Sequence, residues 1–467
     1  MNDKKNLFRA YDVRGIFGSE LTPDMLHKIG ISVCKIIEKD FSRKAKVYVG
    51  FDIRQTSQVL AYAFVSGALS TGAEVIFSDI AMPFGVTMFS GLQESCDFTA
   101  FITASHLPPD WNGIKFYYGD GVGFAEEKII EIRDYFTTNF NNFDQFYADW
   151  NSVKPLHKKL HFDSYVSYMK ENFSLTTPLP VIIDCGNGSA SLTAPQVFKS
   201  CGYNVTEQWT AVDPAFPNRS SEPNIDSLKV LCQEVLSKKT AFGVGFDGDG
   251  DRAVIVDDQG HVIPADTIAI ILARYLQQKF ANTIQKPLLL ANIECSSAFE
   301  NNLSDNFAIK RIKVGHTFLT LESRINKDRT LLGVESSGHF VFPQYFLFDD
   351  AMLLPLILGK ILEEEKKKLS DLLSGIPTMF AVRKTFKCAD DKKFDVITDL
   401  ITNLRKNYPE INDIDGLAIS LPEGYVLIRA SNTGPKIRMF AESAVKNSVE
   451  KIDKQFSSLL EQAITEK

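Results

Sequence analysis

The stretch Gly245-Phe246-Asp247-Gly248-Asp249-Gly250-Asp251-Arg252 places three carboxylates at alternate positions between two apolar segments. The glycines let the backbone bend, so the three side chains can converge on one point. Only oxygen ligands are offered, which selects a hard cation, Mg²⁺ before Ca²⁺. Three carboxylates this close would repel one another in a partly desolvated loop, so a solvated turn explains the pattern poorly. The stretch therefore predicts a magnesium site.

Aspartate-rich loops also occur in EF-hands and in phosphatases that use an aspartate nucleophile. An EF-hand requires Gly at its sixth position, Glu at its twelfth and helices on both sides. Here those positions hold Arg252 and Asp258, and Ala253 to Val256 has the apolar pattern of a strand, which excludes an EF-hand. A phosphatase in which one of the aspartates attacks phosphorus stays open, because Asp is also a competent nucleophile.

Length, charge and cysteine content limit the class of protein. A chain of 467 residues predicts three or four domains, and its net charge of −7 does not favour nucleic-acid binding. An anionic substrate would need positive charge concentrated in a cleft. The seven cysteines show no C-x-x-C spacing, which indicates reduced thiols and a cytoplasmic protein. No segment has the pattern of a signal peptide or a membrane span, so we expect a soluble protein that is not exported.

The order strand, helix, strand occurs three times, over residues 47–77, 181–205 and 288–314. This order is the unit of an α/β layered domain and predicts three related domains in series, with mixed sheets. The remainder alternates strand-like and helix-like segments of a smaller α+β domain. The predicted domains are 1–153, 154–257, 258–368 and 369–467.

A second candidate site follows the strand-like run Phe98 to Ile102. Ser105 comes just after this run and before two prolines, so we predict that it is presented to solvent rather than buried. A serine hydroxyl is a poor nucleophile without a base, a metal or a phosphate, and no G-x-S-x-G motif supports a hydrolase. His106, Lys115 and Arg14 are each compatible with a functional role or with an ordinary turn or surface position.

Two further loops are suited to holding a ligand. Gly333 to His339 alternates acid, hydroxyl and imidazole groups with glycines, which suits hydrogen bonds to vicinal sugar hydroxyls, although an ordinary turn is the alternative. Arg429 to Arg438 combines arginines with small donors and a Gly-Pro turn, which predicts a phosphate cradle. A kinase is excluded because no nucleotide-binding glycine loop occurs. A phosphatase would not need a second phosphate-binding site, whereas a mutase would need both the serine and metal site and the phosphate cradle. We therefore expect all four loops to line one cavity.

These four stretches together resemble the α-D-phosphohexomutase family, in its phosphomannomutase/phosphoglucomutase branch. Thr103 to Pro108 is similar to the T-A-S-H-N-P motif and Asp247 to Arg252 to the metal loop; Gly333 to His339 is similar to the sugar loop and Arg429 to Pro435 to R-x-S-N-T-x-P. The resemblance implies three related α/β domains and a fourth of TATA-box-binding-protein-like fold around a central cleft. It also implies a monomer or weak homo-oligomer that acts on small sugar phosphates and supplies nucleotide-sugar synthesis, with no nucleic-acid or membrane partner.

The activity implied by the resemblance is the interconversion of hexose 1-phosphate and hexose 6-phosphate, with mannose and also glucose as sugars. A phosphoryl group on Ser105 is transferred to give a 1,6-bisphosphate, which also serves as activator, and Mg²⁺ is held by that phosphate with Asp247, Asp249 and Asp251. The catalytic residues implied are Ser105, His106, Lys115, Arg14 and Arg252. The substrate-binding residues implied are Tyr11, His316, Glu335, Ser337, His339, Arg429, Ser431, Asn432, Thr433 and Arg438.

The chain departs from the family pattern in the sugar loop and at two further positions. The sugar loop reads V-E-S-S rather than G-E-x-S, although Glu335 and Ser337 still keep acid and hydroxyl two positions apart. Leu107 replaces the usual Asn of the serine motif, and Glu294 stands where relatives often have Lys or Arg facing the sugar. These departures suggest, as an alternative, a sugar-phosphate-binding protein without catalysis. The phosphate motif reads S-N-T, whereas phosphoglucosamine mutases usually read S-G-T, so that specificity is the closest enzymatic alternative rather than the first choice.

Overall fold

The computed structural model describes residues 7–280, 283–284, 286–431 and 434–467. The chain divides into two compact units. Unit 1 consists of the described residues within Met1–Pro264, His316–Lys327 and Ser337–Leu372. Unit 2 consists of those within Ala265–Gly315, Asp328–Ser336 and Leu373–Lys467.

Up to Pro264 the chain alternates short strands and helices. The strands are β1 (Asp12–Ile16), β2 (Lys46–Phe51), β3 (Glu74–Phe77), β4 (Phe98–Ile102), β5 (Trp111–Tyr118), β6 (His157–Lys158), β7 (Leu179–Asp184), β8 (Tyr203–Gln208), β9 (Phe242–Phe246), β10 (Ala253–Asp257) and β11 (Val262–Ile263). The helices are α1 (Pro23–Phe41), α2 (Ser57–Ser70), α3 (Phe84–Gln93), α4 (Glu126–Asn139), α5 (Phe162–Phe173), α6 (Ala194–Ser200) and α7 (Lys229–Lys238).

The same alternation continues after Pro264. The strands are β12 (Leu288–Asn292), β13 (Ala308–Ile312), β14 (Thr330–Val334), β15 (Phe340–Val341), β16 (Phe380–Lys387), β17 (Leu417–Leu421), β18 (Gly424–Ala430) and β19 (Lys436–Ser443). The helices are α8 (Ala265–Phe280), α9 (Ala298–Leu303), α10 (His316–Ile325), α11 (Leu353–Glu365), α12 (Leu369–Leu373), α13 (Lys393–Leu404) and α14 (Lys446–Thr465).

Unit 1 contains two mixed sheets. In the order β1-β5-β4-β2-β3-β6, the pairs among β1, β5 and β4 are antiparallel and those from β4 to β6 are parallel. In the order β11-β10-β9-β7-β8, the pairs among β11, β10 and β9 are antiparallel and those among β9, β7 and β8 parallel. Every residue of β4 and of β9 is buried, as expected for central strands covered on both faces. Each of these strands ends just before one of the aspartate and serine motifs.

Close helix packing covers the first sheet. Thr22 caps α1 by accepting a hydrogen bond from the Met25 N–H at 3.3 Å, and Pro23 occupies the first helical turn. A Cβ atom on Gly67 would lie 1.9 Å from the His27 carbonyl oxygen. The backbones of α1 and α2 therefore approach so closely that only glycine fits at this position.

Unit 2 combines a parallel and an antiparallel sheet. Strands β13, β12 and β14 are parallel, and β16-β19-β18-β17 are antiparallel throughout. One face of the antiparallel sheet packs its apolar side chains against α13 and α14. The opposite face carries Leu427 and Phe440, together with Ile293 of the same unit.

The three predicted repeats are confirmed. They correspond to β2-α2-β3, β7-α6-β8 and β12-α9-β13, and in each repeat the two strands are parallel. The predicted α+β character of the C-terminal part is also confirmed. Among the described residues, no helix has the combination of length and apolar character that crossing a membrane requires.

Candidate functional site

The aspartate loop, Asp247–Arg252, is the turn between the antiparallel strands β9 and β10. Asp247 Oδ1 accepts hydrogen bonds from the N–H groups of Gly250 at 3.0 Å, Asp251 at 3.1 Å and Arg252 at 3.1 Å. Asp247 Oδ2 accepts from Arg252 Nε at 3.0 Å. The loop is thus folded around the first of its three aspartates.

The aspartate loop offers a cation the donors that the sequence predicts. Ligand atoms of Asp247, Asp249 and Asp251 lie within 4.8 Å of one another, and all three residues are buried. Asp249 Oδ1 and Asp251 Oδ1 have no hydrogen-bond partner among the described residues. Unpaired buried carboxylate oxygens are costly unless a positive group meets them, so the three aspartates fit a hard divalent cation.

Charge in the aspartate loop is balanced by Lys115. Its Nζ lies 3.1 Å from Asp249 Oδ2 and 2.6 Å from Asp251 Oδ2. Burial acts to lower the pKa of Lys115, but Asp249 and Asp251 outweigh it and raise that pKa. Burial and the two neighbouring carboxylates raise the pKa of Asp247 well above its usual value. Lys115, which could have been an exposed lysine, is instead a buried partner of two acids.

The serine loop, Thr103–Trp111, follows β4 and meets the aspartate loop. Thr103 Oγ1 accepts the N–H of Ser105 at 2.8 Å and lies 2.8 Å from Asp52 Oδ2 and 3.0 Å from Asp249 Oδ2. Ser105 Oγ lies 3.5 Å from Asp247 Oδ2. The backbone of Ser105 has a φ of 53°, in the left-handed region.

The prediction that Ser105 is presented to solvent is wrong, because only 3% of this residue is exposed. The end of a strand and two prolines do predict a loop, but exposure depends on what packs over that loop. Here Gly248 lies against the Ser105 carbonyl oxygen so closely that a Cβ atom would meet it at 2.6 Å. The aspartate loop therefore covers the serine loop.

The side chain of Arg54 holds the serine loop by hydrogen bonds to the backbone of that loop. Its Nη2 donates to the carbonyl oxygens of Ser105 and Leu107, both at 2.7 Å, and its Nη1 donates to those of Pro108 at 2.7 Å and Trp111 at 3.1 Å. This guanidinium is 3% exposed and is itself paired with Asp52. Because Arg54 bonds the backbone carbonyl oxygen of Leu107, this hydrogen bond does not require the Asn side chain that is usual at this position.

Three cations surround His106, which adjoins Ser105. His106 Nδ1 lies 3.4 Å from Ser105 Oγ. Burial lowers the pKa of His106 to about 2, and the charges of Arg252, Arg14 and Lys115 act in the same direction. The imidazole is therefore neutral at physiological pH. Arg14 is partly buried and paired with Asp12 at 2.7 Å, while Arg252 Nη2 has no hydrogen-bond partner among the described residues.

Two histidines extend this group of residues within unit 1. The rings of His316 and His339 stack with centroids 5.3 Å apart, and Tyr11 meets His316 edge-on at 5.2 Å. His339 Nδ1 lies 4.0 Å from Asp251 Oδ1, which connects the pair to the aspartate loop. His316 Nε2 is buried without a hydrogen-bond partner in the described part of the chain, which is costly for a polar atom.

Sequence reasoning missed Asp349, which orients His339 and lies near His316, whose Nδ1 is 3.1 Å from the Tyr117 hydroxyl. Asp349 Oδ2 hydrogen-bonds His339 Nδ1 and lies 3.7 Å from His316 Nδ1. Asp349 is fully buried, which acts to raise its pKa, but His339 and His316 outweigh burial and lower it. Two adjacent acids after the apolar run ending at Phe348 were the available signal. Arg54 was missed as well, and nothing in its local sequence distinguishes it.

Of the predicted phosphate cradle, the structure describes Arg429, Ser431 and Arg438, whereas Asn432 and Thr433 lie outside the described residues. Arg429 is 4% exposed and belongs to unit 2. Its guanidinium pairs with Glu294 at 2.9 Å and with Asp415 at 3.1 Å. The unusual Glu294 is thus an ion-pair partner of the cradle arginine.

The remaining predicted substrate residues lie in different surroundings. Glu335 is buried in unit 2 and accepts the N–H of Gly315 at 2.6 Å. Ser337 is exposed in unit 1. Ser431 is buried, and its carbonyl oxygen accepts from Lys393 Nζ at 2.6 Å. Arg438 is exposed and lies directly opposite Arg429 across the β18-β19 pair.

Comparison with known proteins identifies related sequences along nearly the whole chain. Four profiles of phosphoglucomutase/phosphomannomutase match in series: alpha/beta/alpha domains I, II and III at residues 5–143, 163–260 and 264–380, and the C-terminal domain at residues 384–459. The chain therefore has the four-domain α/β architecture of these proteins.

Individual relatives also match from end to end. A phosphoglucomutase/phosphomannomutase of Thermococcus kodakarensis is 30% identical over 466 residues, covering 98% of this chain and 99% of the relative. A phosphoglucosamine mutase of Methanococcus aeolicus is 29% identical, covering 94% and 95%. A solved phosphoglucomutase/phosphomannomutase family protein of Burkholderia thailandensis has a TM-score of 0.87 at 24% identity, with 98% of each chain covered. That likeness concerns the fold.

Proposed function

We propose, because the chain belongs to the phosphoglucomutase/phosphomannomutase family, that it interconverts hexose 1-phosphate and hexose 6-phosphate through a phosphoserine at position 105. The observation that carries this proposal is the placement of Ser105 Oγ 3.5 Å from Asp247, beside the unpaired carboxylate oxygens of Asp249 and Asp251. A serine that shares a buried site with a cation-binding loop is suited to carry a phosphoryl group.

In this proposal Asp247, Asp249 and Asp251 hold Mg²⁺ together with the phosphate on Ser105. The cation supplies charge neutralisation when phosphorus is attacked. A free hydroxyl of the sugar phosphate attacks the phosphorus, the Ser105 oxygen leaves and a hexose 1,6-bisphosphate forms. The bisphosphate then changes its orientation in the site without leaving it, and its other phosphoryl group is transferred to Ser105. Added hexose 1,6-bisphosphate therefore activates enzyme that has lost its phosphate.

The charged residues of unit 1 have defined tasks in this sequence. Arg14, Arg252 and Lys115 stabilise the negative charge of the phosphoryl group while it is being transferred. Lys115 is also the residue we assign to proton transfer: its ammonium group gives a proton to the Ser105 oxygen as that oxygen leaves, and the proton of the attacking hydroxyl restores it. His106 is neutral, and its nitrogen near Ser105 can hydrogen-bond the serine oxygen. His316, His339 and Tyr11 contact the sugar.

The residues of unit 2 are proposed to bind the rest of the substrate. Glu335, with Ser337 of unit 1, hydrogen-bonds sugar hydroxyls, and Arg429, Ser431 and Arg438 hold the phosphate that is not transferred. Asn432 and Thr433 share this second task in the proposal. We propose mannose as the preferred sugar, with glucose also accepted.

The aspartyl phosphatase alternative fits the geometry less well. An attacking carboxylate needs a free oxygen, but Asp247 Oδ1 already accepts three backbone N–H groups and Asp247 Oδ2 accepts from Arg252. These contacts fix Asp247 within the loop, whereas the carboxylate oxygens without a partner among the described residues belong to Asp249 and Asp251.

The second candidate function is phosphoglucosamine mutase. The 29% identity to the enzyme of that name in Methanococcus aeolicus is almost equal to the 30% identity to the phosphoglucomutase/phosphomannomutase of Thermococcus kodakarensis. Sugars that differ at one carbon are distinguished by contacts worth about 1 to 3 kcal/mol, so the two functions require a direct comparison.

A coupled assay of mannose, glucose and glucosamine 1-phosphates on one preparation, with Mg²⁺ and the matching 1,6-bisphosphate, tests the proposal. We expect conversion of all or some of these substrates, with mannose 1-phosphate giving the highest kcat/KM. The highest value for glucosamine 1-phosphate would overturn the proposed specificity alone. Absence of conversion of any hexose phosphate, despite binding, would support the non-catalytic alternative.

Replacement of the serine separates a mutase from a phosphatase. Ser105→Ala should abolish isomerisation, whereas an aspartyl phosphatase would retain phosphate release. Ser237→Ala is the matched control, because Ser237 is exposed on α7 and its hydroxyl donates to the Glu234 carbonyl oxygen at 3.0 Å, one turn earlier on the same helix. The control variant should keep the activity of the unmodified protein.

A further inference from the structure

A segment of unit 1 between β8 and α7 packs against the aspartate loop. Residues 216–221 of this segment, the bridging segment, contain none of the site residues that the sequence predicts. A Cβ atom on Gly248 would lie 3.2 Å from Ser221 Cβ and 3.5 Å from Phe216 Cζ. The bridging segment therefore lies in direct contact with the aspartate loop, at the glycine that also covers Ser105.

Arg219 joins the bridging segment to the strand that leads into the aspartate loop. Its Nη2 donates to the carbonyl oxygen of Phe246, the last residue before that loop, at 2.6 Å. Its Nε donates to the two carboxylate oxygens of Asp184, at the end of β7, at 3.0 and 3.2 Å. The Arg219 side chain is only 2% exposed. Because a buried guanidinium fork that is bonded on two sides has little freedom to move, Arg219 fixes the bridging segment relative to the aspartate loop.

Ser221 joins the bridging segment to the serine loop. Its Oγ donates to the carbonyl oxygen of His106, the residue after Ser105, at 2.8 Å, and Ser221 is buried. Arg54 bonds the carbonyl oxygens on either side, those of Ser105 and Leu107. Three consecutive carbonyl oxygens of the serine loop are therefore held by two side chains, and Ser221 supplies the middle bond.

Arg219 and Ser221 are two positions apart in the chain, a separation that spans at most about 7 Å. One of them holds the residue before Asp247, and the other holds the residue after Ser105. The two loops follow different strands, and the bridging segment connects them through a short piece of backbone. It therefore limits how far Ser105 Oγ can move from Asp247 Oδ2, which lies 3.5 Å away.

We propose that Ser221 is a positioning residue for phosphoryl transfer. Its hydrogen bond to the His106 carbonyl oxygen keeps the serine loop in place against the aspartate loop, so that the phosphoryl group on Ser105 lies beside the carboxylates that hold the cation. In this role Ser221 acts through the backbone of the serine loop rather than on the substrate. This role rests on the proposed mutase function, whereas the hold of Ser221 on the loop can be measured without it.

Ser221→Ala removes the hydrogen bond and leaves Arg219 and Arg54 in place. Hydrogen–deuterium exchange of the full chain, read by mass spectrometry, should show about tenfold faster exchange in peptides of the serine loop, as the loss of one buried hydrogen bond predicts. Peptides of β9 should change less than twofold, because Arg219 still holds Phe246. In steady-state mutase assays kcat should fall about tenfold and KM should change less than twofold, since the contacts to the sugar are unaltered.

Two further variants separate the hydrogen bond from packing. Ser220→Ala is the matched control, because Ser220 is the adjacent residue, is exposed and donates to the Glu222 carbonyl oxygen at 3.1 Å. This control should change neither exchange nor kcat appreciably. Ser221→Cys fills the space of the serine side chain with only a weak donor, so it should resemble Ser221→Ala. If Ser221→Cys instead resembled the unmodified chain, packing rather than the hydrogen bond would hold the loop, and the proposal would be overturned.

Exchange reports on the serine loop and kinetics report on the reaction, so the two ways of failing are distinguishable. Serine-loop exchange that is unchanged in Ser221→Ala would overturn the proposal, whatever the kinetics. Faster exchange with an unchanged kcat would also overturn the positioning role. If the unmodified chain converts no hexose phosphate while Ser221→Ala still speeds exchange of the serine loop, the mutase function is wrong and the positioning role fails with it, although the hold of Ser221 on the loop is confirmed.

Discussion

Arg54 offers the sharpest test of how the serine loop is held. The perturbation is Arg54→Lys, which keeps the positive charge beside Asp52 but replaces a planar fork with a single ammonium group. In the structure the two Nη atoms of Arg54 donate to four carbonyl oxygens of the serine loop at 2.7 to 3.1 Å. A lysine has three donors on one atom and cannot reach four oxygens arranged around a fork.

The magnitude follows from burial. Arg54 is 3% exposed, so carbonyl oxygens that lose their donor are not recovered by water. Partial loss of a buried, charged network costs about 3 kcal/mol. For a chain of 467 residues, with an unfolding entropy of about 2.1 cal/mol/K per residue, that corresponds to a thermal midpoint lower by roughly 3 °C. A shift of about 1 Å in the backbone of Ser105 would also lower turnover about 100-fold.

The assay combines thermal unfolding with steady-state mutase kinetics on folded protein. Because Arg54 acts through the backbone of the serine loop and not on the sugar, we expect kcat to fall much more than KM changes. The control is Arg43→Lys, which alters an exposed arginine whose fork binds Asp97 and should change neither quantity appreciably. If Arg54→Lys unfolds and turns over like the unmodified chain, the assigned role of Arg54 is wrong. A lower midpoint with unchanged kcat would show that Arg54 stabilises the fold without positioning Ser105.

Three further predictions concern neighbouring residues. Ser105→Gly and Ser105→Ala should both be inactive. The glycine variant should be more stable than the alanine variant by about 1 kcal/mol in thermal denaturation, because a φ of 53° strains alanine. Equal stability of the two variants would contradict this. Asp349→Asn should lower kcat about 100-fold with little effect on KM, because a neutral amide holds the ring of His339 less firmly than a carboxylate does; unchanged kinetics would remove Asp349 from the site. Burial raises the pKa of Asp350 to about 6, so the folded state retains its proton more strongly than the unfolded state. Stability should therefore fall by about 3 kcal/mol as pH rises from about 4 to 6. Asp350→Asn should remove this part of the pH dependence in urea unfolding, and equal slopes for both proteins would refute it.

The strands, the repeats and the positions of the functional loops could be predicted because each depends on local sequence. An apolar run of five residues followed by polar or glycine-rich segments identifies β4 and β9 without any knowledge of their neighbours. The convergence of Asp247, Asp249 and Asp251 was predictable for the same reason, since three ligands within five residues share one turn.

The residues that position the site were not predictable, because their partners are distant in sequence. Arg54 meets a loop that begins about fifty positions later, and the burial of Ser105 depends on the aspartate loop beyond residue 245. Asp349 orients His339, ten positions earlier, and lies 3.7 Å from His316 on another element. No periodicity or spacing records such contacts, which are determined by tertiary packing.

The burial of Ser105 also bears on the choice between transfer and hydrolysis. In a site that activates phosphorus for attack, a phosphoserine that water could reach would lose its phosphate to water, and the enzyme would act as a phosphatase. Thr103 helps to close the site, because its hydroxyl accepts the N–H of Ser105 and lies beside Asp52 and Asp249. Thr103→Val keeps the shape of the side chain but removes these hydrogen bonds.

We therefore expect Thr103→Val to release more phosphate per isomerisation, by about tenfold, because a loosened loop admits water to the phosphoryl group. Free phosphate and isomerised sugar are measured in the same reaction. Thr99→Val is the control, because Thr99 is equally buried on β4 but belongs to the strand and not to the serine loop. If phosphate release and isomerisation fall in proportion in Thr103→Val, then closure of the loop does not protect the phosphoserine. In that case the low exposure of Ser105 reflects packing alone, and exclusion of water must depend on other residues.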